Sequence, residues 1–227
     1  PLHKAEDSTE EKIGTTRTGN GPAYRDKYNR TGVRACDIPS LSPFLIDIYE
    51  ELAGDSVILM EGAQGFWLDP DWGDYPYVTS SHTGTAAAIQ NGINPRSIRN
   101  VWGVIKAYET YVGKRPFQPE EKVFERIQKV GQEFGATTGR VRQCNWLNSR
   151  EIRQAIDMNG VNRLVVNKMD VLRELDAWGT TEGRIHGEEH FRRHIEDQFS
   201  PRLGIEKIYF SDNPRTIGEE NRLTDAA

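Results

Sequence analysis

The sequence predicts an α/β protein with a mostly parallel central sheet flanked by helices. Three observations carry this expectation. Short apolar runs such as Val57-Ile58-Leu59-Met60, Leu164-Val165-Val166 and Ile208-Tyr209-Phe210 suit buried strands. Segments with helical apolar spacing alternate with them along the chain. Polar, glycine- or asparagine-containing motifs stand just beyond the predicted strands, where open α/β sheets place their ligands.

Taken in order, residues 1–12 are polar, charged and without period, and read as a tail. Residues 13–40 are rich in Gly, Thr, Arg and Asn and read as loop. Ser42-Pro43 is expected to open a helix, with Ser as N-cap, Pro at the first helical position, an apolar stripe of Phe44, Leu45, Ile48 and Leu52, and Gly54 at its end. Val57–Met60 follows as a strand, broken by Glu61-Gly62-Ala63-Gln64-Gly65. Residues 66–84 form a long aromatic, glycine-containing loop, and Thr85–Gln90 a short helix before Gly92. Val101–Ile105 reads as a strand. Pro119–Phe134 reads as a helix, with Val123, Ile127, Val130 and Phe134 on one side. Residues 135–142 form a Gly/Thr/Arg loop. Ser149 caps a helix running to Met158, Leu164–Val166 is a strand, Glu188–Phe199 a helix and Ile208–Phe210 a last strand. Parallel strands would bring Glu61–Gly65, Asn167–Asp170 and Ser211–Pro214 to one edge of the sheet.

Composition narrows the class of protein. The chain has 227 residues, 36% hydrophobic and 28% charged, with a formal net charge of −5. Adding its 21 glycines to that hydrophobic fraction gives about 45%, enough for a core. At about 150 residues per domain, 227 residues make one large domain or two small ones, and we read one domain over 1–227. No apolar run approaches the ~20 residues of a membrane span, and the start carries no signal peptide. Cys36 and Cys144 make neither a disulfide framework nor a zinc cluster. Mild acidity argues against a nucleic-acid coat. A cytoplasmic globular protein is expected, binding no membrane and no nucleic acid. The chain opens on Pro1 without an initiating Met, which suggests that it begins partway through a longer protein.

Several motifs could carry chemistry. Asn167-Lys168-Met169-Asp170 has the N-K-x-D form: a carboxylate there can accept from N1–H and the 2-amino group of guanine, donors that adenine lacks in that arrangement. A surface turn with a salt bridge is the plainer reading of four residues. Gly135-Ala136-Thr137-Thr138-Gly139-Arg140-Val141-Arg142 resembles an anion-binding loop, since glycines admit close approach and arginines clamp carboxylate or phosphate. Ile13–Pro22 has similar chemistry but lacks the lysine pattern of a Walker A loop. The Gln64 amide could stabilise negative charge on a substrate oxygen. His186, His190 and His194 fall at i, i+4, i+8, but Gly187 interrupts the first interval, and a solvated helix face is favoured over a zinc site. Trp67, Trp72, Tyr75 and Tyr77 could stack on a base or pack into the loop.

In order along the chain stand Ile-Gly-Thr-Thr…Gly-Pro-Ala-Tyr-x-Asp-Lys (13–27), Glu-Gly-Ala-Gln-Gly (61–65), Tyr-Pro-Tyr-Val-Thr-Ser-Ser (75–81), Val-Gly-x-x-Pro-Phe (112–117), Glu-Phe-Gly-Ala-Thr-Thr-Gly-Arg-x-Arg (133–142), Trp-Leu (146–147) and Asn-Lys-Met-Asp-Val-Leu (167–172). With these motifs the chain closely resembles the adenylosuccinate synthetase family from its middle to its end. The resemblance implies a P-loop-NTPase-like synthetase fold lacking its N-terminal part. It implies a ligase that joins L-aspartate to the 6-position of IMP with GTP hydrolysis and Mg²⁺. Carried over position by position, Thr16, Arg30, Gln64, Thr79 and Arg140 would bind the purine monophosphate. Arg30 would reach into a neighbouring subunit, which implies a homodimer, and Gln64, at the purine 6-position, would be the catalytic residue. Thr137, Thr138 and Arg140 would hold aspartate. Arg142, Lys168, Asp170 and Ser211 would hold the nucleoside triphosphate, and no metal ligand is expected in this chain.

The sequence also departs from the family pattern. Arg17-Thr18 stands where Gly-Arg is usual, Arg115 replaces a glycine and Tyr111 an arginine. The family's N-terminal Gly-Asp-Glu-Gly-Lys-Gly loop, with its acid/base Asp, and the Gly-His segment after it are not in this sequence. Two alternatives stay open. One is a phage-type 2-aminoadenylosuccinate synthetase acting on (d)GMP with ATP or GTP; the short region after residue 172 and Arg17-Thr18 favour it. The other is a non-catalytic purine-nucleotide-binding fragment, because without the phosphate loop the chain is expected to be inactive alone.

Overall fold

A computed structural model describes residues 13–52, 54, 57–136, 139–199, 204–217 and 220–221. The chain divides into two compact units, Pro1–Arg99 and Asn100–Ala227.

The second unit carries the sheet. Strands β1 (Trp102–Lys106), β4 (Arg163–Asn167) and β7 (Lys207–Phe210) are parallel, and β8 (Glu220–Asn221) closes the order β1-β4-β7-β8 antiparallel to β7. β4 is central, which explains its continuous apolar run: Leu164, Val165 and Val166 are all buried, as strands covered on both faces require. Two short antiparallel pairs, β2 (Glu109–Tyr111) with β3 (Gln143–Asn145) and β5 (Trp178–Thr180) with β6 (Gly183–Ile185), complete the strands among the described residues of this unit. The expected α/β class and mostly parallel sheet are what the structure has.

Helices form where capping and periodicity agree. In this unit they are α4 (Lys122–Val130), α5 (Ser149–Asn159), α6 (Met169–Leu175) and α7 (Glu188–Phe199). α7 has the bounds the sequence predicts and buries Phe191, Ile195 and Phe199 at i, i+4, i+8. α5 buries Ile152 and Ile156 and ends at Gly160, whose φ of 63° is the left-handed conformation that glycine adopts without a Cβ clash. Its N-cap is Asn148, not Ser149: the Asn148 side chain accepts from the Glu151 amide, while Ser149 is already helical and buried. α4 is shorter than the predicted Pro119–Phe134. Glu121 before it is extended, and Gln132 after it takes a left-handed φ of 51°, so Phe134 leaves the helix and bridges Val141. The buried face of α4 is Phe124 and Ile127. The core also gathers Trp146, Leu147, Met169, Leu172, Trp178 and Ile208.

The first unit departs further from expectation. Residues 13–40 are not all loop, since α1 spans Asn20–Asn29. Its hydrophobic positions show little periodicity, so the sequence carried no sign of it. The helix expected from Ser42 through Leu52 is a 3₁₀ stretch, Pro39–Phe44, and then a short α2, Ile48–Leu52. Pro39 and Pro43 each remove an N–H, which keeps this stretch from forming an α-helical ladder. Its apolar residues are not a buried stripe, with Phe44 78% exposed. Val57–Met60 is not a strand: it has no regular secondary structure, and Val57 and Leu59 lie in solvent. A strand needs a ladder partner, and among the described residues of this unit no strand is available to pair. α3 (Ala86–Gln90) falls where the sequence places it.

Candidate functional site

The carboxyl edge of the parallel sheet gathers the polar groups of the second unit. β4 ends at Asn167, opposite Lys106 at the end of β1. Lys168 follows in a left-handed conformation (φ 64°) and serves as the N-cap residue of α6, with Asp170 in that helix's first turn. A non-glycine residue at positive φ is strained and often marks a functional turn. The Lys168 Nζ donates to the Gly131 carbonyl at the end of α4, 2.8 Å away. Ser211 follows β7. Its amide donates to the Val166 carbonyl at 2.8 Å, its carbonyl lies 3.4 Å from the Met169 amide, and its hydroxyl donates within its own loop, to the Asn213 and Thr216 carbonyls. So two of the three predicted strand-end motifs, Asn167–Asp170 and Ser211–Pro214, meet at one edge. Among the described residues, Glu61–Gly65 follows no strand.

Beside this edge lies a buried ionic cluster. Glu133 is fully buried, and its carboxylate accepts from the Lys106 ammonium at 2.8 and 2.9 Å, the Tyr108 hydroxyl at 2.7 Å and the Arg142 guanidinium at 2.9 Å. Burial acts to raise the Glu133 pKa, but these hydrogen bonds outweigh it and hold the carboxyl below the usual value. Burial lowers Lys106 and raises Tyr108. Sequence reading missed Glu133, Lys106 and Tyr108. Glu133 opens the 133–142 motif without a role assigned to it, and Lys106 shows only as a lone charge ending an apolar stretch, which is usually solvated. Phe134–Ala136 and Gly139–Val141 run antiparallel beyond the cluster, joined by Gly135 N–H to the Arg140 carbonyl at 2.8 Å and Arg142 N–H to the Glu133 carbonyl at 2.9 Å. Arg140 is half-buried there. Thr137 and Thr138 lie outside the described residues.

In the first unit, Thr16, Gln64 and Thr79 line one polar cavity of about 240 Å³, with Thr15, Thr18 and Arg25. Gln64, like Lys168, has a left-handed backbone, φ 73°. Arg30 is exposed at the C-terminal end of α1, also left-handed at φ 62°. Asp69 is buried in the following loop. Burial raises its carboxyl, but the amides of Asp71 and Thr83 and the nearby His82 outweigh this and hold it low. Asp69, Asp71 and His82 are, among the described residues, the one trio whose ligand atoms lie within 4.8 Å of each other. The trio does not fit Mg²⁺, which wants an octahedron of oxygens, because one donor is imidazole and both Asp69 oxygens already accept backbone amides. His194 is half-buried and 3.2 Å from the Ser149 hydroxyl, while His186 and His190 are exposed, so only part of that helix face is solvated. Trp67 packs edge-on to Phe66, while Trp72 and Tyr75 are largely exposed. Arg115 lies over the Tyr111 and Phe117 rings, so two of the departures from the family pattern touch.

A parallel sheet with a polar turn at its carboxyl edge, beside a buried ionic cluster, defines an α/β protein of the class whose ligands generally bind beyond the strand ends. Comparison with known proteins gives the family. The adenylosuccinate synthetase family model matches residues 1–53 and 39–196. The chain belongs to the adenylosuccinate synthetase family. It is 39% identical to the adenylosuccinate synthetase of Carboxydothermus hydrogenoformans, with 76% of this chain and 53% of that protein aligned. It is 38% identical to that of Candida albicans, over 75% of this chain and 52% of that protein. The chain thus spans about half the length of the curated relatives it matches. Among solved structures it resembles fully ligated adenylosuccinate synthetase from Plasmodium falciparum, with TM-score 0.68, 27% identity, and 78% of this chain and 54% of that one covered. It also shares its fold with the succinoaminodeoxyadenylate synthetase of cyanophage S-2L bound to dGMP and dATP, with TM-score 0.67, 22% identity, and 92% and 62% covered.

Proposed function

We propose that this chain forms the central and C-terminal portion of a purine nucleotide synthetase. The enzyme joins L-aspartate to the 6-position of IMP and converts GTP to GDP and phosphate. The γ-phosphoryl group passes to the purine 6-oxygen. The aspartate amine then attacks C6, and phosphate leaves with the C–O bonding pair. Phosphorylation turns a poor oxygen leaving group into a good one, and positioned donors stabilise the charge that spreads over it.

The observation that carries this reading is the strand-end cluster. Lys168 and Asp170 after β4 stand beside Ser211 after β7, in a chain of this family. In this reading Asp170 reads guanine, the Lys168 stem lies against its face, Ser211 closes the pocket and Arg142 lies on the triphosphate side. Thr16, Gln64, Thr79, Arg30 and Arg140 serve the purine monophosphate, with Gln64 at the 6-oxygen. Thr137, Thr138 and Arg140 hold aspartate. Arg30 acts across a homodimer, as its exposed position on α1 permits. Mg²⁺ accompanies the triphosphate in the family reaction. The enzyme works in the cytoplasm, without membrane or nucleic acid.

The acceptor has one rival, dGMP, to which the shared fold with the phage enzyme and the Arg17-Thr18 departure lend weight. Aspartate-dependent phosphate release, measured with IMP and with dGMP, each with GTP and with ATP as donor, decides it. The 227-residue chain is expected to be silent and the full-length product of its gene to prefer IMP. Preference for dGMP selects the rival, and no aspartate-dependent release with either leaves a binding protein only. Turnover by the chain alone contradicts the expected dependence on the N-terminal loop.

A further inference from the structure

The Glu133 carboxylate sits among positive charges, with Asp170 near enough to act electrostatically on the Tyr108 hydroxyl. Lys106 and Arg142 both bind the Glu133 carboxylate directly, and Lys168 is close enough to Lys106 to weigh on its ammonium electrostatically. The three cations come from three separate places in the chain: the end of β1, the turn after β4, and the stretch Gly139–Arg142. Without the carboxylate that Lys106 and Arg142 share, these like charges would repel one another at short range. Glu133 and Arg142 also face each other through the backbone, because the Arg142 amide donates to the Glu133 carbonyl at 2.9 Å while its guanidinium meets the carboxylate at 2.9 Å. The tie therefore holds both the direction of the Arg142 side chain and the antiparallel pairing of Phe134–Ala136 with Gly139–Val141. The Tyr108 hydroxyl donates to the same carboxylate and fixes its rotamer from beneath.

We propose that Glu133 is a positioning residue of the nucleotide site: its buried carboxylate holds Arg142, Lys106 and the base of the Phe134–Val141 pairing in the arrangement that receives the nucleotide. The proposal rests on the nucleotide-binding reading above. It has an outcome that plain electrostatics does not share. Removing a negative charge beside three cations should strengthen the binding of any anion if the site were only a pool of charge. If Glu133 positions, removing it weakens nucleotide binding although the site becomes more positive.

The test compares the wild-type chain with Glu133→Gln and Glu133→Asp by calorimetric titration of GDP and by hydrogen exchange at the amides of Gly135, Gly139 and Arg142. With circular dichroism unchanged, Glu133→Gln is expected to bind GDP at least fivefold more weakly and to exchange these amides at least tenfold faster. Glu133→Asp keeps the charge and is expected to recover most of both. Arg142→Gln, cut from the half-buried side of the pair, serves the exchange measurement should Glu133→Gln fail to fold, and it is expected to show the same acceleration. GDP binding equal to or tighter than wild type in Glu133→Gln overturns the proposal, as do unchanged exchange rates. A wild-type chain that binds no GDP sinks the nucleotide reading instead. The exchange comparison then decides alone whether Glu133 holds the loop.

Discussion

The Lys168 ammonium donates to the carbonyl of Gly131, 2.8 Å away, and so ties the turn after β4 to the C-terminal end of α4. That end carries the negative pole of the helix, where a cation is stabilised. The bond fixes the lysine stem as well as its charge, and the stem is the part proposed to lie against the purine. Lys168→Met keeps the stem and loses the bond. It is expected to cost about 1 kcal/mol of stability, read by denaturant unfolding, and to weaken GDP binding less than Lys168→Ala does. Equal losses in the two variants would remove the stacking role.

Glu133 is also a stability element. Removing one partner of a buried ionic cluster leaves the others uncompensated, typically at a cost of about 3–5 kcal/mol. Glu133→Ala is expected to fall in that range by urea unfolding. Because the folded-state carboxyl titrates below its ordinary 4.5, the stabilisation is present above that pH and is lost as the pH falls through the lower folded value. The acid limb of wild-type unfolding should therefore flatten in Glu133→Gln.

Glu109 titrates in the opposite direction. Burial pushes its carboxyl up to about 7 from 4.5, although the Asn148 amide donates to it at 3.1 Å. The unfolded chain then loses this proton first, so stability is full below about pH 4.5 and falls as the pH rises to about 7. Glu109→Gln preserves the acceptor for Asn148 and removes the titration. Melting temperatures between pH 5 and 8 should decline less in the variant than in wild type; parallel declines would assign the slope elsewhere.

Gly73 holds the loop that buries Asp69. A Cβ there would stand 2.4 Å from the Trp67 carbonyl and 2.7 Å from that of Asp69, both backbone atoms that cannot swing away. Gly73→Ala is expected to destabilise residues 66–83 and raise proteolytic cutting within them. A variant as resistant as wild type would show that the loop has room to shift.

The sheet and the site were legible to different degrees, for physical reasons. β4 announced itself because a strand buried on both faces must be continuously apolar, and α7 because Phe191, Ile195 and Phe199 repeat at helical spacing. Lys168 and Asp170 were legible because the N-K-x-D form sits beyond such a strand. Val57–Met60 is as continuously apolar as the centre of β4 but has, among the described residues of its unit, no strand to pair with, and composition does not reveal a missing partner. α1 escaped notice because its surface shows no apolar stripe. Glu133 escaped because its meaning lies in Lys106, Tyr108 and Arg142, which are distant in sequence and meet only in the fold.

The turn after β4 is proposed to read a guanine nucleotide. Titrating GDP and ADP into the wild-type chain and into Asp170→Asn tests it most directly. A clear preference for GDP is expected in wild type, shrinking toward parity in the variant, since an amide cannot accept both guanine donors as a carboxylate does. A GDP-over-ADP ratio that is the same in both proteins, or a wild-type chain with no preference, would contradict it.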